Sequence, residues 1–173
     1  MMLANRYAGQ EVGGWWMGEK FDGVRAYWDG AAIRTRTWRE VQAPAWFLAK
    51  LPRGVAIDGE LWGGRGTFQI ASELSRFARA DDAAWQGMRL MAFDWPTCDA
   101  IGYEDRLARL AGLENDVVQV ARVCRCGSGA EAVARMRAIV SDGGEGVVLK
   151  RPGHCYEFGR SSAWLKVKPG EVD

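Results

Sequence analysis

Apolar residues in this chain cluster in short runs bounded by Gly, Asp and Pro, and three such runs, at residues 24–28, 55–61 and 90–95, dominate the first half. Runs of this length, rich in β-branched and aromatic side chains, predict strands. Asp29-Gly30 follows the first run. This dipeptide tolerates positive φ, which predicts a tight hairpin with residues 33–37 as the returning strand. A three-to-four-residue spacing appears instead at Phe68, Ala71, Ser72, Ser75 and Ala78, again over residues 103–113, and most clearly over residues 130–140, where Ala132, Val133, Met136 and Ile139 share a face. That period predicts three helices. The last third returns to strand at residues 146–149 and 163–167, on either side of a turn-rich segment that holds Pro152, Gly153 and Gly159. Strands and helices mix without a regular β-α-β rhythm, so the expected fold class is α+β.

The length of 173 residues, 48% of them hydrophobic, suits one core, and a single domain over residues 1–173 is expected. Formal net charge is only +1, so a polyanion site must be a local patch rather than a property of the whole surface. No apolar run is long enough to span a bilayer, and residues 1–10 lack the charged start, apolar middle and small-residue cleavage site of a secretory signal. No membrane association is expected, and the compartment is read as cytoplasmic, or periplasmic if a leader has been removed. Cys98, Cys124, Cys126 and Cys155 lack the two-residue spacing of a zinc site and are read as reduced structural thiols. His154, the only histidine, lies in the Pro/Gly-rich turn and is expected at the surface. The nine tryptophans fall mostly among strand signals, as at Trp28, Trp62 and Trp164, where burial explains them. None is assigned to nucleic acid.

Chemistry concentrates first at Glu19-Lys20-Phe21-Asp22-Gly23-Val24-Arg25, where a lysine and an arginine flank an Asp-Gly bend before a strand. A lysine amine is a nucleophile only when neutral, and its reference pKa of about 10.4 must be depressed by desolvation or by neighbouring positive charge. Lys166 and Lys168 are candidates to supply that charge. On a strand they share one face while Leu165 and Val167 take the other, and two converging ammonium groups suit a phosphate. Taken alone, the same segment also fits an exposed edge strand whose lysines block aggregation. Asp58-Gly59-Glu60-Leu61-Trp62 ends one strand and Glu145-Gly146-Val147-Val148-Leu149-Lys150 begins another. Acidic strand ends hold magnesium or ribose hydroxyls, although each fragment is also a common turn sequence.

Together and in this order, these segments resemble the covalent nucleotidyltransferase superfamily of DNA ligases, RNA ligases and mRNA capping enzymes. Lys20 to Arg25 matches the first motif, K-x-D-G-x-R, at every fixed position. Asp58-Gly59-Glu60, Phe93-Asp94, Glu145-Gly146-Val147-Val148 and Lys166-Val167-Lys168 match the later ones, so the resemblance spans about residues 17–168. The wording around Lys20 and Asp58 is most similar to the small bacterial ATP-dependent DNA ligases.

That resemblance implies a nucleotidyltransferase (ATP-grasp-like) fold of antiparallel sheets flanked by helices, with the active site in a cleft. It implies ATP-dependent ligase chemistry: Lys20 attacks the α-phosphate of ATP, AMP stays on the lysine, and is then passed to the 5′-phosphate of a nick before the 3′-hydroxyl seals it, as in DNA repair or replication. Lys166 and Lys168 contact the α-phosphate, Arg25 and Glu60 the ribose, and Phe93 stacks on adenine, with Glu19 also among the nucleotide-binding residues. Glu145 holds magnesium, assisted by Asp22, which also orders the bend at Lys20. Arg36 grips the nick 5′-phosphate, with Arg34 as the alternative register. The expected partner is nicked double-stranded DNA, bound by a monomer, and complete relatives carry a C-terminal oligonucleotide-binding barrel absent from these residues. RNA ligase activity and a non-catalytic nucleic-acid-binding remnant are the competing readings.

Overall fold

The computed structural model describes residues 1–171; Val172 and Asp173, the end of the tail expected after the last strand, lie outside the described residues. In chain order the elements are β1 Met2–Arg6, β2 Trp16–Lys20, β3 Val24–Trp28, β4 Ile33–Arg34, α1 Ala45–Leu48, β5 Ile57–Trp62, α2 Phe68–Arg76, β6 Arg89–Asp94, α3 Tyr103–Ala111, β7 Val118–Val120, β8 Val123–Arg125, α4 Gly129–Ser141, β9 Gly146–Lys150 and β10 Gly159–Val167. A 3-10 helix, Ala83–Gly87, precedes β6. The class is α+β, and all three helices read from the sequence are present. The chain divides into two compact units, one of Met1–Phe21, Cys98–Asp105 and the residues from Ala121, the other of Asp22–Thr97 and Arg106–Val120. Each unit has its own five-stranded sheet and its own buried core.

In the unit that contains Lys20 the strand order is β1-β10-β9-β2-β8. The sheet is antiparallel except at its edge, where β1 runs parallel to β10. Met17, Val147, Leu149, Leu165 and Val167 cluster with Ala132, Met136 and Ile139, the apolar face of α4. A reciprocal cap starts that helix: Ser128 Oγ accepts from Glu131 N at 3.2 Å while Glu131 Oε2 accepts from Gly127 N at 2.7 Å. His154 corrects the sequence reading, because it is buried rather than at the surface. Its Nδ1 lies 2.6 Å from the Arg151 carbonyl and must donate, so Nε2 is the acceptor for the Trp164 indole N–H at 2.8 Å. One ring nitrogen is satisfied within the turn and the other by β10, which is what carries this polar group inside. Tyr103 stacks on the imidazole, and the buried Lys150 ammonium lies 4.2 Å from the Trp164 ring centroid and 5.0 Å from that of Tyr103.

In the other unit the order is β4-β3-β5-β6-β7, antiparallel except for β7, which runs parallel to β6 at the edge. Ala26, Trp28, Ile57, Leu61, Leu90 and Ala92 form the core with Phe47, Ala71, Leu74, Trp85 and Leu110. The hairpin after β3 forms as the Asp-Gly signal predicts: Gly30 has φ 95°, and Asp29 Oδ1 accepts from the amides of Ala31 and Ala32. The returning strand is shorter than the predicted 33–37, because it ends at Arg34. Thr35 N donates to Arg39 O at 2.8 Å and Trp38 N to Thr35 O at 2.9 Å, which turns the chain back on itself.

Asp94 and Arg106 form an ion pair with both side chains fully buried, Nε to Oδ1 at 2.7 Å. Asp94 lies in the Phe93-Asp94 motif, whereas nothing in the sequence singles out Arg106. Removing one partner leaves the other charge buried, so Arg106→Ala is expected to lower unfolding free energy by about 3–5 kcal/mol. Chemical denaturation measures this, and a loss below about 1 kcal/mol would contradict the pair's role.

Candidate active site

Lys20 ends β2 and pairs in register with Gly146, the first residue of β9. Gly146 is required there by close approach: a Cβ would run into the Val167 carbonyl oxygen of β10. With that glycine, β9 fits between β2 and β10, and Glu145 falls at the strand end beside the lysines. Glu145 Oε2 accepts from Lys20 Nζ at 2.7 Å and its Oε1 from Lys168 Nζ at 2.7 Å. Strand alternation sends Glu19 to the opposite side of β2 from Lys20.

The sequence expectation for the terminal lysines holds in its pattern, since Leu165 and Val167 are buried and Lys166 and Lys168 are not. The two differ in partner, however, because Lys166 Nζ faces Glu171 Oε1 at 3.6 Å, which Arg6 also approaches at 3.3 Å. Burial of Glu145 would raise its carboxyl pKa, but hydrogen bonds from Lys168 and Lys20, with their charges, outweigh burial and hold it below the ordinary 4.5. A depressed carboxyl stabilises the fold above the unfolded-state value, and the contribution is lost as pH falls through the lower folded value. Stability should therefore decline as pH drops below 4.5, and Glu145→Gln should flatten that decline, as read by thermal unfolding across pH. An unchanged acid limb in Glu145→Gln would contradict this.

In the other unit, Arg25 on β3 stands directly opposite Glu60 on β5, and Tyr27 opposite Asp58. Asp58, fully buried, grips the Arg25 guanidinium through two parallel bonds, Nε to Oδ1 and Nη2 to Oδ2, each 2.7 Å. The guanidinium also lies 4.9 Å from the centroid of Phe93. A register shift at Asp58/Gly59 pairs Asp58 with Asp94 and Gly59 with Ala92, leaving Phe93 at the bulge. Bulges re-aim side chains, and this one brings Phe93 to Arg25. Gly23 is another close approach, since a Cβ there would meet the Leu61 carbonyl oxygen of β5. Asp22 fixes the same bend: Oδ1 accepts from Trp62 Nε1 at 2.8 Å and Oδ2 from Gly66 N at 3.2 Å.

Arg34 and Arg36 have different surroundings. Arg34 is paired with Asp29 at 2.9 Å and Glu40 at 3.4 Å, whereas Arg36 is exposed in the turn after β4. Both cannot be placed on one strand face, because the strand ends between them. Asp58 is the residue that sequence reasoning left without a role; its period-two relation to Glu60 marks it as sharing that residue's face. No group of three or more His, Cys, Asp or Glu placed to hold a metal occurs among the described residues. The four cysteines are free, and only Cys126 is buried. No helix among the described residues is long and apolar enough to cross a membrane.

Residues 1–168 match the family model described as ATP dependent DNA ligase domain. The chain is 34% identical over 172 residues to a DNA ligase of Haemophilus influenzae, covering 97% of this chain and 63% of that protein. It thus spans less than two thirds of that relative's length. Among solved structures, a Lig E DNA ligase studied for DNA binding with a minimal scaffold superposes with a TM-score of 0.89 at 33% identity, covering 97% of this chain and 68% of that one. The Chlorella virus DNA ligase-adenylate superposes with a TM-score of 0.78 over 96% of this chain and 67% of its own, at 23% identity, a likeness of fold alone. With its motif residues on the strand ends and bends described above and the family model matching nearly its whole length, this chain belongs to the ATP-dependent DNA ligase domain family.

Proposed function

We propose that this chain is the adenylation domain of an ATP-dependent DNA ligase, in which Lys20 carries AMP before its transfer to the 5′-phosphate of a DNA nick. The observation that carries the reading is Glu145 held between Lys20 and Lys168 at 2.7 Å each. A single carboxylate holds the side chain that becomes the nucleophile beside a phosphate-binding cation. ATP is the substrate. Once the Lys20 ammonium has passed a proton to solvent, Nζ attacks the α-phosphorus, the bond to the β-phosphate oxygen breaks, and pyrophosphate leaves. Lys166 and Lys168 neutralise charge developing on the α-phosphate oxygens, which preorganised cations do better than water.

The remaining motif residues fit the nucleoside. Arg25 donates and Glu60 accepts at ribose hydroxyls, and Asp58 keeps the guanidinium in one orientation, while Phe93 offers an aromatic face to adenine. Magnesium suits the triphosphate and pyrophosphate. Glu145 in one unit and Asp22 in the other are each a carboxylate candidate for it, in keeping with an ion that takes few protein ligands and retains waters, and the ion would supply charge neutralisation. Arg36, exposed and without the acidic partners that hold Arg34, is the better candidate for the nick 5′-phosphate. A barrel following this domain would clamp the duplex from a second side.

Incubation with magnesium and ATP or GTP labelled at the α-phosphate, followed by addition of nicked duplexes of DNA or RNA strands, tests the reading. Label is expected on the protein from ATP and then on the 5′ end of nicked DNA. Labelling from GTP, or transfer only to RNA, would contradict it.

A further inference from the structure

Among the described residues, Trp38 is the one non-glycine residue with positive φ, at 68°. The residue is 55% exposed. Neither burial nor backbone preference accounts for a tryptophan there: glycine would adopt this conformation freely, and a bulky side chain is strained in it. The turn around it is closed by hydrogen bonds. Thr35 is buried and bonds Arg39 and Trp38 through its backbone, and its hydroxyl accepts from Arg39 N at 3.2 Å. The ring packs by one side on Tyr27, with centroids 5.1 Å apart.

Arg39 ties this turn to the end of α2, donating from its guanidinium to Ser75 O at 3.1 Å and Arg76 O at 3.3 Å. Phe77, next along, is also 55% exposed. Arg79 covers one side of the Phe77 ring at 5.5 Å, but Glu73 and Asp82, each 3.6 Å away, offset its charge. Arg36 and Arg76 are exposed and have no acidic partner among the described residues. The surface therefore interleaves flat aromatic faces with uncompensated guanidinium groups. Polynucleotides alternate flat rings and sugars with phosphates in the same way.

We propose that Trp38 is a nucleic-acid stacking platform, packing on the sugar and base that flank the phosphate held by Arg36, with Arg76 and Phe77 extending the same surface. This rests on the reading above that the chain handles nicked DNA. The hydrogen-bonded turn holds the ring in place before binding, so little ordering cost remains to be met on contact.

The test compares the full chain with Trp38→Gly and Trp38→Phe, each at equal AMP occupancy by intact mass. Binding to labelled nicked and unbroken DNA duplexes is measured by fluorescence anisotropy at low ionic strength, where phosphate contacts are strongest. Trp38→Gly should bind nicked duplex about tenfold more weakly, the loss expected of one aromatic–base stack, while its melting temperature holds or rises as backbone strain is relieved. Trp38→Phe should retain most of the affinity, since the ring remains. A Trp38→Gly chain that binds as tightly as the parent, while the parent carries AMP and prefers the nick, overturns the assignment of Trp38 alone. A parent that takes no AMP and binds both duplexes equally overturns the functional reading, and this inference with it.

Discussion

Lys20→Ala is expected to abolish covalent AMP attachment while leaving the fold in place. In the proposed reaction the amine is the attacking group, and among the described residues Lys20 is the β2 side chain that pairs with Glu145. Folding should survive, because Lys20 lies at a strand end with 27% of its side chain exposed and Lys168 remains on Glu145. Partly exposed ion pairs of this kind contribute little to stability. Lys20→Arg sharpens the test. It keeps a cation for Glu145, yet a guanidinium does not deprotonate and cannot attack, so it should be as inert as alanine. Intact mass after incubation with ATP and magnesium reads both variants, and an AMP adduct on either would remove Lys20 from the mechanism.

Lys168→Ala is expected to slow adenylation by about two to three orders of magnitude, the usual cost of deleting one preorganised contact to a developing anion. On the proposed function it removes two things at once, a cation for the α-phosphate and one of the two lysine contacts that orient Glu145. Lys166→Ala removes only the first, since its ammonium faces Glu171. The structure thus predicts the larger defect at Lys168, although the two lysines look equivalent in sequence. Single-turnover labelling rates measure the difference. Near-normal rates for both variants would make them surface lysines.

How much of this was legible in the sequence depended on where stability comes from. Strands β5 and β6 and helices α2, α3 and α4 bury apolar faces with clean periods, and each was visible as a run. Strands β1, β7 and β8 are short edge strands whose pairing is set by the neighbour rather than by their own composition, and they left no usable signal. β2 was hidden because Gly18, Glu19 and Lys20 break any apolar run and carry little strand propensity of their own. The short β4 shows the opposite error. Alternation suggested a longer strand, and the Thr35 hydrogen bonds to Arg39 and Trp38 overrode it. That same turn exposes a tryptophan where composition argued for burial.

The motif residues themselves were legible through their ordered resemblance to a known family, and close backbone approach accounts for two of them, Gly23 and Gly146. Their pairing was not. That Asp58 holds Arg25, that Glu145 joins Lys20 to Lys168, and that His154 turns inward to Trp164 depends on which strands are neighbours, information that spacing along the chain does not carry.

The measurement that bears most directly on the central claim is intact mass of the purified chain before and after ATP and magnesium, followed by peptide mapping of any adduct. A gain matching one AMP, located on Lys20 and discharged by added pyrophosphate, is the predicted result. An AMP adduct mapped to any other residue would contradict it.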